Sequence, residues 1–422
     1  MFLFRIIVVA VFVFSLSGQS AFAAGSGSYA LETPDAGAMG EGSAFVGEAD
    51  TPAAVYYNPA GINQMKSAEF SFGDALIAPR AQMTQPNGNT VHEQNNEYNV
   101  PNFYAVVPII PNKLSIGAGG GSYWGLGTNW GPNSPLSFAT TQASINDVDN
   151  SLVASYQVTD QWSVAAGVDN DYSKVDESYA LNNGGGTGGA NGTAELKGRD
   201  DAWGFRLATM FKINDQNQVG LMYRSRIDHN YSGKISINGA NPGFYGISNY
   251  VAPVNEKSVL PQSILLGYSF KPTSKWTINL DLEWMDWSST KYETLNVSNP
   301  TLQALGVGTP IPEDWHSAWS ESIGTQYAVT DSFRVRLGYY HHERVISDAD
   351  FNPVIPDSNS NGYTTGFGYD ITKRLTLDIA YSFLDYDTRS INNTVSNASG
   401  GSVNGKYRQY ANMGLVSLTY KF

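Results

Sequence analysis

From about residue 66 onward, apolar and polar side chains alternate in short runs, the period of a β-strand and not of a helix. In 332–340, Phe333, Val335, Leu337 and Tyr339 share one face, with Arg334, Arg336 and Gly338 on the other. In 276–284, Trp276, Ile278, Leu280, Leu282 and Trp284 stand against Asn279, Asp281 and Glu283. In 375–383, Leu375, Leu377, Ile379, Tyr381 and Phe383 stand against Thr376, Asp378, Ala380 and Ser382. The last run, 410–422, alternates cleanly and ends on Tyr420 and Phe422. Short turns near 110–113, 159–161, 214–217, 272–274, 330–332 and 372–373 separate these runs on one side. Long polar segments at roughly 82–97, 126–148, 179–192, 240–256, 298–315, 344–360 and 391–402 separate them on the other. Seven long and six short connections in strict alternation predict fourteen antiparallel strands. That asymmetry is the pattern of a transmembrane barrel, whose apolar side chains face lipid. A soluble barrel has the same period with its apolar side chains inside, so the period alone does not give the direction.

The N-terminus supplies it. Arg5 leads into the apolar run Ile6 to Phe14, which breaks at 15–20 and reaches Ala21-Phe22-Ala23. This is the layout of an export signal cleaved after residue 23, with the mature start at Ala24. The apolar run is too short for a spanning helix, and no later stretch is long enough for one. An exported chain of strands with apolar outer faces is expected in the bacterial outer membrane. Residues 24–65 lack sustained alternation but carry Leu31, Met39, Phe45, Val46, Val55, Tyr56, Tyr57 and Ile62, and Asn58-Pro59-Ala60-Gly61 predicts a turn. A solvated tail has little use for those apolar side chains. The expected division is therefore a signal peptide at 1–23, a lumenal plug at 24–65 and an all-β, fourteen-stranded barrel at 66–422.

Composition agrees: 43 Gly, 25 Tyr, 19 Phe and 9 Trp accompany 15% charged residues and no Cys. A net charge of −13 argues against nucleic-acid binding, which needs concentrated basic charge. The five histidines, His92, His229, His316, His341 and His342, form no catalytic or metal-binding constellation, and His341 and His342 point to opposite faces of one strand. The glycine runs at 117–121 and 184–186 lack the lysine and following helix of a phosphate loop. No enzyme activity, cofactor or metal is expected. Gly119, Gly120 and Gly121 instead strip side chains from the third strand, which predicts a kink or bulge just before Ser122-Tyr123-Trp124. A kink could open the wall, or the bare stretch could give the plug a flat surface; the two are compatible.

Several segments in order carry a resemblance. They are Tyr57-Asn58-Pro59-Ala60-Gly61, Val100-Pro101-Asn102-Phe103, 117–126, Leu196-Lys197-Gly198, Trp203-Gly204-Phe205, Tyr223-Arg224-Ser225, Leu260-Pro261, and Trp284 to Ser288. Across about residues 30–422 the chain resembles the FadL family, outer-membrane transporters of long-chain fatty acids with relatives that import aromatic hydrocarbons. The resemblance implies facilitated diffusion: ligand meets the loops at 126–148 and 179–192, moves to a lumenal site beside the hatch, and leaves sideways at the third strand. Gly119, Gly120 and Gly121 would carry the opening, Asn58, Pro59 and Ala60 would hold the hatch, and Ala24 to about Tyr29 would cap the inner site. Tyr123, Trp124, Trp130, Phe138, Tyr172, Tyr179, Trp203 and Phe205 are the expected pocket lining. A fatty carboxylate would need a lumenal cation. Lys174 and Arg206 lead the candidates, with Lys197, Arg224, Arg334 and Arg336 behind them; Tyr179 stands where fatty-acid members carry a basic residue. Long-chain fatty acids are the expected ligand and neutral aromatics or alkanes the alternative. A general porin or an adhesive structural barrel are further readings. A monomer is expected, in contact with outer-membrane lipid and lipopolysaccharide and assembled by the barrel assembly machinery.

Overall fold

A computed structural model describes residues 28–31, 33–185, 191–304, 307–309, 311–394 and 402–422. The export signal and Ala24 lie outside them. Fourteen wall strands follow one another around the barrel, several in two pieces: β1 Glu69–Thr84, β2 Tyr98–Ile110, β3 Leu114–Gly121 and Gly125–Asn129, β4 Gln142–Thr159, β5 Trp162–Leu181, β6 Gly192–Lys212, and β7 Asn217–Arg224 and Ile227–Asn238. They continue with β8 Tyr250–Leu260 and Ser263–Thr273, β9 Trp276–Met285, β10 Ala318–Ala328, β11 Phe333–His342, β12 Ser360–Asp370, β13 Leu375–Tyr386 and Arg389–Ile391, and β14 Gly405–Lys421. Each pairs antiparallel with its sequence neighbour, and β1 closes on β14 from Glu69↔Lys421 to Thr84↔Lys406. Closure leaves no free sheet edge, which a strand needs in hydrocarbon because every backbone polar group must find a partner.

The direction of the side chains is that of a membrane barrel. Leu152, Val168, Leu207, Leu266, Leu337 and Leu418 are among the large apolar residues exposed on the outer face. Their inward neighbours Ser151, Asp169, Arg206, Arg336 and Ser417 are buried in the lumen. The long strands β5 and β6 extend further than the alternation suggested. About half of 126–148 is strand, on either side of a loop at 130–141, whereas the loop after β9 already starts at 286. Alternation fades at these loop ends because side chains there face water or other loops, not lipid.

Residues 28–31 and 33–65 fill the lumen. Helix α1 (Ala36–Gly40) is capped by Asp35, whose Oδ1 accepts from Ala38 N at 2.9 Å. Helix α2 (Ala54–Tyr57) runs into a 3₁₀ turn, Pro59–Gln64, so the expected bare turn is a helical corner. Asn58 makes it: its Oδ1 caps Ala60 N at 3.1 Å while Pro59, lacking an N–H, begins the turn. The hatch main chain runs flush against the wall between Gly40 and Gly47. A Cβ at Gly267, Gly324 or Gly338 would collide with hatch backbone at Gly47, Glu41 or Gly42.

Candidate functional site

The third strand is interrupted where its glycines end. Pairing with β2 stops at Phe103↔Gly120, while Tyr98 to Asn102 of β2 pair only with β1. On its other side β3 skips from Gly121↔Asp149 to Gly125↔Asn146, so residues 122–124 face only two residues of β4. The wall therefore parts between β2 and β3 at a bulge. Tyr98 crosses the part, its hydroxyl donating to Gly127 O at 3.3 Å. Gly119 also lies flat against the hatch: a Cβ there would stand 3.1 Å from a Val55 methyl. Both expectations for the glycines thus coincide at one place.

The N-terminal segment occupies the bulge from inside. Leu31 N donates to Tyr123 O at 2.9 Å and Gly125 N to Tyr29 O at 2.8 Å, forming a one-bridge antiparallel addition to the broken strand. This contact delivers the Tyr29 ring into a box of three tryptophans. Ring centroids lie 6.1 Å from Trp124, 5.1 Å from Trp287 and 6.3 Å from Trp315, all steeply inclined. Such edge-to-face packing is the favoured geometry of ring quadrupoles. Met285 of β9, Leu260 of β8, and Val345 and Ile346 of the loop after β11 belong to the same apolar cluster. Asp357 shapes that loop by accepting from Val345 N and Ile346 N at 2.6 and 2.9 Å, and it reaches Ser28 N at 3.3 Å.

Tyr56 connects the box to the hatch. Its ring lies 4.1 Å from that of Tyr123 and 4.0 Å beneath the Arg224 guanidinium. Arg224 also donates to Tyr56 O at 2.9 Å, and Arg206 to Val55 O at 2.8 Å. Two wall arginines thus bind carbonyls at the C-terminal end of α2, where cations suit the helix dipole. Arg206 is completed by Asp169 at 2.5 Å and Asp149 at 3.8 Å. Asn58 Nδ2 ties the hatch to Val46 O and Thr209 O, and Ala60 O accepts from Ser155 and Ser163 of the wall. Further round, Asp281 accepts from Phe45 N and Val46 N, and Asn279 Nδ2 donates to both Glu41 and Glu48. Arg336 faces Glu41 at 3.2 Å and Lys271 faces Glu48 at 3.3 Å. Burial nevertheless holds both hatch carboxyls above their usual range. A cavity of about 40 Å³ between Ser43, Tyr57, Arg224 and Glu283 is of water size.

Not every expected site residue converges here. Tyr123 and Trp124 lie in the lumenal cluster, but Trp203 and Phe205 are 67% and 46% exposed on the outer wall. Both are odd-numbered outward positions of β6, where Ala202, Arg206 and Ala208 face in. Tyr172 and Lys174 also sit on an outward register of β5, the ammonium 5.3 Å from the ring. Trp130 packs on Tyr407 and donates to Pro353 O at 3.0 Å, above the lumen. Phe138 is buried in the same loop, and Tyr179 packs in a separate apolar cluster at the loop ends of β5 to β8. Ala24 lies outside the described residues. Of the six cation candidates, Arg206, Arg224 and Arg336 hold hatch groups. Lys197 pairs with Asp176 and Glu195, Arg334 with Asp370, and Lys174 is on the outside. Trp287 and Trp315 were not expected, because the loop that carries them gives no periodic signal. Two Asp-x-Asp steps, 147–149 and 169–171, could have flagged an acidic lumenal wall.

Fold and site together define a plugged transport barrel of the bacterial outer membrane. The chain belongs to the outer membrane protein transport protein family (OMPP1/FadL/TodX), whose model matches residues 16–422. Membership makes it a channel for passive uptake of hydrophobic small molecules. A long-chain fatty acid transport protein of Escherichia coli O6:H1 is 24% identical over 382 residues, covering 82% of this chain and 84% of that one. An outer membrane protein of Neisseria meningitidis serogroup B is 26% identical over 253 residues, about half of each chain (55% and 53%). Among solved structures, a Pseudomonas aeruginosa FadL homologue superposes with a TM-score of 0.84 at 18% identity, over 94% of this chain and 100% of that one. The P. putida toluene transporter TodX does so with a TM-score of 0.72 at 18% identity, over 93% and 99%.

Proposed function

We propose that this channel imports neutral hydrophobic compounds, aromatic ones foremost, rather than long-chain fatty acids. The observation that carries the reading is the tryptophan box around Tyr29, which already accommodates a six-membered aromatic ring beside the parted wall. A fatty carboxylate buried there would need a cation, and the lumenal arginines Arg206, Arg224 and Arg336 are committed to the hatch and to aspartates. Toluene transporters of the same fold support this choice, while the fatty acid transport proteins among the relatives support the channel class alone.

Ligand enters from the loop side, displaces the Tyr29 ring, and leaves between β2 and β3 into the outer leaflet. A sideways exit keeps the hydrophobe out of the aqueous periplasm, so the free energy of apolar burial is retained along the path. No energy source is required. Uptake of labelled toluene and oleate by cells expressing the chain, and lacking their own transporters, tests the reading. Toluene uptake without oleate uptake is expected; oleate uptake alone overturns it.

A further inference from the structure

Beside the tryptophan box, the lumenal wall carries more buried carboxyl groups than basic side chains to pair them. Asp147 and Asp149 of β4 and Asp169 and Asp171 of β5 all point inward, with Asp149 directly opposite Asp171, and none is more than 4% exposed. Arg206 serves Asp169 and Asp149. His229 of β7, stacked 5.2 Å from Tyr231, lies 3.2 Å from Asp171 on one side and 3.2 Å from Asp200 on the other. The β6–β7 ladder stops at Arg206↔Arg224 and resumes at Arg199↔Ser232, and this break lets Asp200 turn toward the ring. Asp147 is left at 0% exposure. Neither its oxygens nor those of Asp171 meet a donor in hydrogen-bond geometry among the described residues, although the His229 ring stands 3.2 Å from Asp171 as an ion-pair partner.

Tyr29 joins this acidic wall to the box. Its ring sits among the tryptophans, and its phenol has Ser258, Asp147, Glu256 and Asp171 as electrostatic neighbours. Buried carboxylates without donors are unfavourable unless a positive group meets them. Among the described residues no three such ligands converge closely enough for a metal ion. An organic cation is different: its charge is diffuse, one or two carboxylates balance it, and indole faces attract it.

We propose that, with the Tyr29 side chain displaced, this site takes organic cations with an apolar body, quaternary ammonium compounds or protonated hydrophobic amines. The head group lies against Asp147 and Asp171 and the apolar part among Trp124, Trp287 and Trp315. The inference rests on the hydrophobic-uptake reading and extends its ligands from neutral compounds to cationic ones with an apolar body.

The test uses the full mature chain in detergent, following tryptophan fluorescence with three probes of matched size. These are benzyltrimethylammonium, its uncharged isostere neopentylbenzene, and phenylacetate. The cation is expected to bind about tenfold more tightly than the isostere, with phenylacetate weakest. That preference should disappear in the Asp147→Asn/Asp171→Asn double variant, with neopentylbenzene affinity unchanged. Equal affinity of cation and isostere in the unaltered protein overturns the proposal without any variant, as does a preference that survives the double substitution in a heat-modifiable, folded barrel. Binding of neopentylbenzene alone sinks only this inference; binding of neither apolar probe sinks the uptake reading as well.

Discussion

Asp35 caps α1, yet desolvation outweighs the cap bond and pushes its carboxyl up to about 6, with Asp378 acting in the same direction and Arg336 against it. Glu41 and Glu48 are raised as well, first by burial and then by neighbouring carboxylates, against Arg336 and Lys271. A carboxyl whose pKa rises on docking docks more tightly when protonated. Hatch stability is therefore complete below the ordinary carboxylate range and is lost as pH rises through the docked value, about 6 for Asp35. Asp35 by itself contributes on the order of 2–3 kcal/mol across that window. Hatch amides, corrected for intrinsic exchange rates, should be better protected from hydrogen exchange at about pH 4.5 than at about pH 7.5. Protection that grows with pH would contradict the assignment. At this scale the sequence was least informative. Trp203 and Phe205 have the composition of pocket residues, but one step of register put them on lipid.

At the scale of the element, the proposed exit depends on β3. Three consecutive glycines announced a weak strand in the sequence, and the structure shows where the weakness goes: pairing with β2 ends at Gly120. An ideal Cβ at Gly121 would stand 3.3 Å from Asn102 Cβ, close to disulfide separation, and the chain has no other cysteine. Asn102→Cys with Gly121→Cys should therefore staple β2 to β3. Oxidised protein is expected to lose toluene uptake by about tenfold or more and to regain it on reduction, provided the lateral path is the rate-limiting exit. Undiminished uptake by the fully oxidised form would remove the β2–β3 route. The hatch corner was legible from Asn58 and Pro59, because capping and a fixed φ are local properties. The partner of Tyr29 was not, since Trp124, Trp287 and Trp315 lie far from it in sequence and two of them sit in an irregular loop.

For the whole molecule, a fourteen-stranded wall encloses a lumen wider than its own side chains can fill, and the hatch occupies it. Closure depends on main chain meeting bare wall at Gly267, Gly324 and Gly338. Gly338→Val places a side chain where Gly42 N lies, an overpacking cost of about 1–3 kcal/mol that pushes the hatch off the wall. Single-channel conductance in a planar bilayer should rise for this variant and stay at the parent level for Gly414→Ala, whose added Cβ meets nothing within 4 Å. Equal conductance of the two variants would mean the hatch seals elsewhere.

The sequence by itself determined the class of this protein. A period of two, the expected export signal and the aromatic residues of the last strand are local patterns, and lipid outside with polar groups inside is the arrangement that satisfies them together. Strand number followed from the alternation of short and long connections for the same reason. What only the tertiary structure decided is which inward residues meet. Strand register and tilt bring Arg206 to Asp169 and to the Val55 carbonyl, which leaves it committed to the hatch rather than open to a fatty carboxylate. They also set Asp147 and Asp171 beside a tryptophan box assembled from residues about 95 to 290 positions away from Tyr29. Such meetings depend on the closure of the whole sheet, which no local pattern encodes.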